Sequence, residues 1–378
     1  MTTPNHALVF GASGINGWAW AFVNELIPTP AFTRITALTN RPLSPSQTLW
    51  PASPKLHLVS GIDLLTQIPH LPDVTTVYFC AYIFNADPAV ETDCNIAILR
   101  NTLVAVEALC PRFRVLVLPT GVKFYGVHLL QDFPFANALP LRETHPPLPA
   151  PHHDNLFYTH QLTLLRTLSS HKPWTWIDLR PDIITGFVPH NNQFNLAHWV
   201  ARYLSLVVPF PGTTRSWNCW SNESSQDAIA RFGIWASLSS ERTGGESFNV
   251  SDEARAGCWR ERWGVICAEF GLRGVGPQGD GDEGYGVDVA GWLRENREGW
   301  ARMERAYGLQ ADGGSEDGVT LGFVPRFLLS QFDFDRTVSL EKMHAMWGED
   351  KEEREVGAAW GTVLDRFRRA RIIPIFVE

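Results

Sequence analysis

Residues 7–17, ALVFGASGING, decide the fold of this chain of 378 residues. The apolar run at 7–10 predicts a buried strand, and three glycines in G-x-x-G-x-x-G spacing lead from it into a helix-like stretch at 18–26. Glycine allows a tight turn out of the strand and a close approach of backbone to a pyrophosphate, while the following helix directs its N-terminal amides at the phosphates. The pattern favours a dinucleotide-binding loop over a simple tight turn. We assign cofactor contacts to Gly11, Ser13, Gly14, Ile15 and Gly17.

The first half of the chain alternates short apolar runs with amphipathic stretches. The runs predict strands at 7–10, 34–38, 56–60, 76–80, 114–118 and 174–179. The segment 93–110 carries apolar residues at helical spacing and predicts a helix that packs on the sheet. This alternation predicts an α/β fold: a Rossmann-type, doubly wound parallel sheet with helices on both faces, plus a smaller, mainly helical C-terminal substrate-binding domain.

Composition narrows the class of partner. The net charge of −8 argues against nucleic acid and anionic membranes, because phosphate binding needs clustered Lys and Arg. The six cysteines form no C-x-x-C pair, which favours buried, reduced thiols. No basic leader and no run of about 18 apolar residues is present. We therefore expect a cytoplasmic enzyme for a small molecule, with no membrane partner, and a homodimer is a possible assembly.

The end of the second strand indicates which nicotinamide cofactor is bound. An NAD site usually places a carboxylate there for the ribose hydroxyls, whereas the 2′-phosphate of NADP repels a carboxylate and recruits Arg. Asn40 and Arg41 follow this strand without a carboxylate, which favours NADPH; a solvated Arg41 before a turn proline is the alternative. Asp63, just past the third strand, suits contact with the adenine, or equally the cap of a helix that begins at Leu64.

These patterns divide the chain into two regions. Residues 1–190 are assigned to the NADP-binding Rossmann domain, with a later segment at about 215–252 returning to it. Residues 191–378 are assigned mainly to substrate binding, and their many tryptophans suit an apolar pocket or a core.

A lysine and a tyrosine are the candidate catalytic residues. Short-chain dehydrogenases normally carry Tyr-x-x-x-Lys on one helix, where the lysine lies one turn from the tyrosine and lowers its pKa. Here Tyr158 is followed four positions later by Leu162, so that dyad is absent. Lys123, after the fifth strand, lies at the same carboxyl edge of the predicted sheet and could supply the ammonium from another element. The alternative is a core tyrosine and a surface lysine.

At this point the sequence resembles the progesterone 5β-reductase and iridoid synthase-like family of atypical extended short-chain reductases. The resemblance runs from about residue 6 to the C-terminus. It is carried by GASGINGWAW (11–20), TNRP (39–42), PTGVKFYG (119–126), NLFYTHQ (155–161), LRPDIITGF (179–187) and ESFNVSD (246–252).

The resemblance implies roles for matching positions. Lys123 and Tyr158 match the family's catalytic lysine and tyrosine, and Arg41 matches a residue that grips the 2′-phosphate. Pro181 and Ile184 match positions that line the nicotinamide, and Thr120 is assigned to the cofactor site as well. The chain departs from the family pattern at Pro119, Phe124, Asp182 and Ile183, which leaves the substrate open.

The family reaction implied is NADPH-dependent 1,4-reduction of an enone or enal, with Tyr158 stabilising the enolate and Lys123 assisting. Reduction of a ketone or aldehyde at the carbonyl is an alternative, since the same phenol can protonate an alkoxide. A regulator or scaffold that binds NADP without chemistry is the alternative outside enzymes. The histidines at 152 and 153 lie in a Pro-rich loop, 145–153, without a third ligand, so no metal is assigned.

Overall fold

Seven parallel strands form the central sheet of the computed structural model, which describes residues 5–14, 17–63, 71–189, 207–278, 295–310 and 327–375. They are β1 Asn5–Phe10, β2 Phe32–Thr39, β3 Leu56–Ser60, β4 Thr76–Phe79, β5 Val115–Pro119, β6 Thr175–Pro181 and β10 Glu246–Val250. Short strands lie outside this sheet: β7 Ile184–Thr185, β8 Val207–Pro209, β9 Ser224–Ser225 and β11 Arg273–Val275. The predicted α/β, doubly wound fold is confirmed.

The helices that surround the sheet are α1 Trp18–Leu26, α2 Pro45–Thr48, α3 Pro88–Leu109, α4 Phe157–Ser169, α5 Thr214–Asn218, α6 Gln226–Leu238, α7 Ser240–Thr243, α8 Trp259–Ala268, α9 Arg297–Tyr307, α10 Glu341–Trp347 and α11 Val356–Arg369. Helix α1 packs against α6, and α3 packs against α4. Among the described helices, none is long and apolar enough to cross a membrane.

The order of the strands places the candidate site. Across the sheet the order is β3-β2-β1-β4-β5-β6-β10, and every pairing is parallel. The chain runs outward from β1 to β3 and then crosses to β4 on the other side of β1. Loops after β1 and β4 therefore leave in opposite directions, and the crevice between them is where open α/β sheets bind ligands.

Burial on both faces explains the apolar runs within the central strands. Ala7 to Phe10 of β1 are fully buried, and Phe22 from α1 lies 4.6 Å from the ring of Tyr78 on β4. Strand β10 pairs with β6 and forms one edge of the sheet. The sheet is thus a rigid base from which the loops at its carboxyl edge project.

Helix α3 begins five residues before the predicted start at 93. Asp87 caps it, accepting hydrogen bonds from the amides of Ala89 at 2.9 Å and Val90 at 3.5 Å, and Pro88 occupies the first helical position. Asp followed by Pro is a strong helix-start signal. The apolar periodicity missed this turn because its residues are mostly exposed.

Candidate active site

The glycine loop turns sharply out of β1 at the crevice. Gly11 adopts φ 83°, and an added Cβ there would lie 2.7 Å from the backbone of Ala81, just after β4. The amides of Gly11 and Ala12 donate to the carbonyl of Leu38 at 3.0 and 2.8 Å. A side chain at Gly11 would close this approach, so the glycine is required by both space and backbone conformation.

The last glycine of the loop packs against a distant helix. Gly17 has φ 79°, and an added Cβ would lie 2.3 Å from Oε1 of Gln226 at the start of α6. That oxygen accepts a hydrogen bond from the amide of Phe187 at 2.7 Å. The hydroxyl of buried Ser13 accepts a hydrogen bond from the hydroxyl of Thr39, the last residue of β2. The predicted contact at Ile15 lies outside the described residues.

The residues assigned to the adenosine end of the cofactor lie at the ends of β2 and β3. Asn40 and Arg41 directly follow β2 and are exposed, and Asp63 is exposed three residues after β3. Thr39 contributes its hydroxyl to the carbonyl of Arg41 at 3.3 Å. Asn40, Arg41 and Asp63 thus lie at the carboxyl ends of β2 and β3, and their contacts with the ribose and adenine stay predictions.

Lys123 lies in a single helical turn, Val122–Tyr125, held between two glycines with positive φ, Gly121 and Gly126. An added Cβ at Gly121 would lie 3.3 Å from the carbonyl oxygen of Pro181, so the turn abuts the end of β6. Solvent reaches the Lys123 side chain. Crowding by protein atoms nevertheless lowers the pKa of its ammonium, and the carboxylate of Glu91 opposes that effect.

A buried polar network fixes Tyr125, the second residue after Lys123. The guanidinium of Arg180 donates to Asp178 at 2.7 Å and to the hydroxyl of Tyr125 at 3.2 Å. Tyr125 is fully buried and donates to Asn249 at 2.6 Å. Burial raises the pKa of Tyr125. Tyr125 therefore packs beneath the site and does not face the crevice.

Thr120 also belongs to this network. It is buried, its amide donates to the carbonyl of Leu179 at 2.8 Å, and its hydroxyl donates to Asp178 at 2.5 Å. The side chain thus ties β5 to β6 below the lysine turn. Its predicted contact with a cofactor would need the second lone pair of the hydroxyl.

Tyr158 stands in the first turn of α4 and is half-buried. Burial raises the pKa of its phenol, and the nearby carboxylates of Asp178 and Glu91 raise it further. The phenol therefore stays protonated at neutral pH and acts as a hydrogen-bond donor. Glu91 also acts electrostatically on Lys123 and raises the pKa of its ammonium.

The segment after β6 carries the two residues predicted to line the nicotinamide. Pro181 ends the strand and is buried, and Ile184 in β7 is half-buried and pairs with Ser224. Between them, Asp182 is buried and lies 3.4 Å from Nε of Arg336. Asp182, one of the positions at which the chain departs from the family pattern, therefore links the C-terminal segment to the residues after β6.

The Pro-rich loop 145–153 lies beside the lysine turn. Leu148 is buried, and an added Cβ at Gly126 would lie 2.8 Å from its Cδ2. His153 donates its amide to the carbonyl of Pro149 at 3.1 Å. In the described part of the chain, no group of three His, Cys, Asp or Glu side chains is arranged to hold a metal.

This geometry agrees with the comparison to known families. The profile of the family described as PRISE-like Rossmann-fold domain matches residues 7–374. The chain belongs to this PRISE-like family. The resemblance found in the sequence is thereby confirmed.

Two relatives show where this PRISE-like chain lies among enzymes. Short chain dehydrogenase ausT of Aspergillus calidoustus is 33% identical over 97% of this chain and 94% of that protein. (S)-8-oxocitronellyl enol synthase ISY1 of Nepeta racemosa is 27% identical over 97% of this chain and 93% of that protein. The PRISE-like chain is an oxidoreductase of the extended short-chain dehydrogenase/reductase type.

Solved structures support the fold of the PRISE-like chain. UDP-glucuronic acid 4-epimerase from Bacillus cereus, in complex with NAD, has a TM-score of 0.60 at 12% identity, covering 96% of this chain and 99% of that chain. Gre2 from Candida albicans has a TM-score of 0.59 at 10% identity, covering 97% of this chain and 99% of that chain. At these identities the likeness concerns the fold alone.

Two residues beside the catalytic candidates of this PRISE-like site were missed by sequence reasoning. Tyr82 follows β4 at the crevice, and Glu91 lies in the first turn of α3. The hydroxyl of Tyr82 donates to the carboxylate of Glu91. The available signal was the position of Tyr82 just after a central strand, where functional side chains concentrate.

Proposed function

We propose that this protein is an NADPH-dependent reductase that adds hydride to the C=C bond of an enone or enal. The observation that supports the proposal is the placement of Lys123, in the turn directly after β5, and of Tyr158, in the first turn of α4, on two different elements at the carboxyl edge of the sheet. In the usual dyad the tyrosine and the lysine lie on one helix. Here the ammonium would come from a different element and assist the tyrosine in the same way.

The glycine loop fits a dinucleotide. Gly11 and Gly17 let the loop turn closely against its neighbours, because a Cβ at Gly11 would meet the backbone of Ala81 and one at Gly17 would meet Gln226. The positive end of α1 would then lie toward the pyrophosphate. Arg41, exposed after β2, would pair with the 2′-phosphate and so select NADPH. Bound at this site, the dinucleotide would supply the hydride.

Tyr158 supplies the stabilisation that the reaction needs. Hydride addition to the β-carbon of an enone leaves negative charge on the carbonyl oxygen as an enolate. A phenol that donates a hydrogen bond to that oxygen binds the charge more strongly in the transition state than in the ground state. Because the raised pKa of Tyr158 keeps its proton in place, the phenol is a donor across the neutral range.

Lys123 contributes a positive charge at the same edge. Its side chain is reached by solvent, so its ammonium is free to bond a ribose hydroxyl. The positive charge also favours the electron-rich form of the substrate oxygen that Tyr158 holds. The name of the Nepeta relative, an enol synthase, denotes formation of an enol, the species that conjugate addition leaves.

A panel of substrates tests the proposal. The protein is incubated with NADPH and matched enones, enals and saturated ketones, cofactor absorbance is followed, and products are identified. We expect saturated carbonyl products from the conjugated substrates. Alcohol products with the C=C bond intact would instead establish reduction at the carbonyl.

Two variants link the activity to the site. Tyr158→Phe should lower kcat by about a hundred-fold or more, the loss seen when an oxyanion donor is removed, and leave NADPH binding intact. Tyr307→Phe, at an exposed tyrosine on α9, is the matched control. Equal activity of the two variants would exclude Tyr158 from the reaction.

A further inference from the structure

A fully buried glutamine lies between the glycine loop and the segment that follows β6. Gln226 is the first residue of α6, and none of its side chain is exposed. Its Oε1 accepts a hydrogen bond from the amide of Phe187 at 2.7 Å. A Cβ added at Gly17, the last glycine of the loop, would collide with the same oxygen. The carboxamide of Gln226 therefore contacts both segments directly.

The amide of Phe187 decides which way the carboxamide of Gln226 points. A backbone N–H can only donate, so the oxygen of the side chain faces it and Nε2 takes the other position. Nε2 is buried and has no hydrogen-bond partner in the part of the chain that the structure describes. A buried donor without a partner is costly. The side chain is thus held at this place by its oxygen and its fit.

The bond to Phe187 continues a short parallel pairing. Strands β7 and β9 pair with each other and end at Thr185 and Ser225. Gln226 follows β9 directly, and its side chain reaches Phe187, two residues beyond the end of β7. Ile184, which is predicted to line the nicotinamide, is the first residue of β7. The start of α6 is thereby tied to the nicotinamide end of the predicted cofactor site.

Helix α1 contacts the same segment on its other side. The ring of Trp20 in α1 meets the ring of Phe187 edge-on, with centroids 5.1 Å apart and planes inclined by 87°. Gly17 directly precedes α1, and a Cβ added there would lie 3.4 Å from Cα of Gly186, an ordinary contact. The collision that an alanine at this position would cause is therefore with Gln226.

We propose that Gln226 is a positioning residue of the cofactor site: its carboxamide holds the glycine loop, at the pyrophosphate end, against the segment after β6, at the nicotinamide end. Hydride transfer needs the nicotinamide ring in one orientation, which requires both ends of a dinucleotide to be held together. The role in binding rests on the proposed function, because it needs a dinucleotide at the glycine loop. Gln226 acts through these two segments and needs no contact with the cofactor.

A double-mutant cycle on the full chain tests the contact between Gln226 and Gly17. Gly17→Ala adds the colliding Cβ, and Gln226→Ala removes the carboxamide that it would meet. Gly17 has a positive φ, so alanine is strained there in both backgrounds and this strain cancels in the cycle. We expect Gly17→Ala to lower Tm by several degrees more in the wild-type background than in the Gln226→Ala background. Equal shifts would overturn the proposal.

Binding of a whole cofactor and of half a cofactor tests the positioning role. Gln226→Met keeps a side chain of similar length and removes the acceptor for Phe187. Dissociation constants are measured for NADPH, which spans both segments, and for adenosine 2′,5′-bisphosphate, which lacks the nicotinamide half. We expect NADPH to weaken about tenfold and the bisphosphate by less than about twofold. A merely structural role would change both constants alike, and that result, or no change, would refute the positioning role.

Asn222→Leu is the matched control. Asn222 is also a buried amide side chain, and its oxygen accepts a hydrogen bond from the backbone amide of Val338 at 2.9 Å. Its loss removes a bond of the same kind from the C-terminal segment and should leave the ratio of the two dissociation constants at the wild-type value. A ratio that moves as far as in Gln226→Met would assign the effect to lost stability and contradict the proposal.

The outcomes separate this proposal from the proposed function. If the wild-type protein binds NADPH but reduces no substrate of the panel, the reductase fails, and the ratio of dissociation constants still decides the role of Gln226. If the protein reduces enones and Gln226→Met keeps the wild-type ratio, the reductase stands and the positioning role fails. A wild-type protein that binds neither ligand would exclude both.

Discussion

The guanidinium of Arg180 lies 3.6 Å from the ring centroid of Phe124, the residue that directly follows Lys123. The same guanidinium bonds Asp178 and Tyr125 and is almost fully buried. The turn that carries the proposed catalytic lysine thus rests on a buried ion pair. Such a pair holds one geometry well, because any displacement leaves charges without partners.

Arg180→Lys should therefore destabilise the protein by about 3 kcal/mol, as expected when a buried charge pair loses its geometry. Lysine cannot bond Asp178, Tyr125 and the Phe124 face together. Urea unfolding measures the loss. Arg166→Lys is the control, since Arg166 is exposed and lies over Trp176, at 5.6 Å. Equal losses in the two variants would contradict the role given to the network.

Gly11→Ala should abolish cofactor binding and lower stability more than Gly245→Ala. Both glycines have positive φ, 83° and 79°, so both variants carry a backbone strain of roughly 1–2 kcal/mol. A Cβ at Gly11 also meets the backbone of Ala81 at 2.7 Å, whereas a Cβ at Gly245 meets nothing within 4 Å. Thermal unfolding measures the loss of stability, and NADPH titration measures cofactor binding. A difference between the two variants reports the collision at Gly11, because the backbone strain is common to both. Similar behaviour of the two variants would refute the close approach.

Arg41→Ala should weaken NADPH by about ten- to a hundred-fold and leave NADH almost unchanged, because one charge-assisted contact to the 2′-phosphate is lost. Dissociation constants for both nucleotides provide the measurement. Arg34→Ala, at an exposed arginine within β2, controls for the change in net charge. Should NADPH and NADH weaken alike, the 2′-phosphate is recognised elsewhere.

The buried carboxyl of Asp252 should make stability depend on pH. Burial raises its pKa to about 7, although both oxygens accept from Ser225, at 2.7 and 2.5 Å. The unfolded carboxyl ionises at a lower pH, so the folded state binds more protons in between, and the free energy of unfolding falls as pH rises toward about 7. Asp252→Asn should flatten this slope. Parallel curves for wild type and variant would show that Asp252 contributes nothing to it.

Much of the fold was predictable because its signals are local. The glycine spacing after 7–10 and the fully apolar runs of a two-face buried sheet can be seen without knowing any contact. All six predicted strands are present, and β2 begins two residues before the predicted start at 34, at Phe32. The short strands β7 and β9 were missed, because two residues carry no periodicity.

The candidate site was predictable only in part, because its remaining members meet through tertiary structure. Lys123 and Tyr158 were predicted from the motifs around them, and Glu91 acts electrostatically on both. Nothing in the residues near Glu91 distinguishes it from any acidic residue in a first helical turn. Its partner Tyr82 lies nine positions earlier, on another element, so the pair emerges only when α3 docks beside β4.

The position of transferred hydride tests the central claim most directly. The protein is supplied with an unsaturated aldehyde and with each C4-deuterated stereoisomer of NADPH in turn, and the product is examined by NMR. Conjugate reduction predicts a saturated aldehyde with deuterium on the carbon β to the carbonyl, and loss of that product in Tyr158→Phe. Deuterium on a carbinol carbon beside an intact C=C bond would contradict the account.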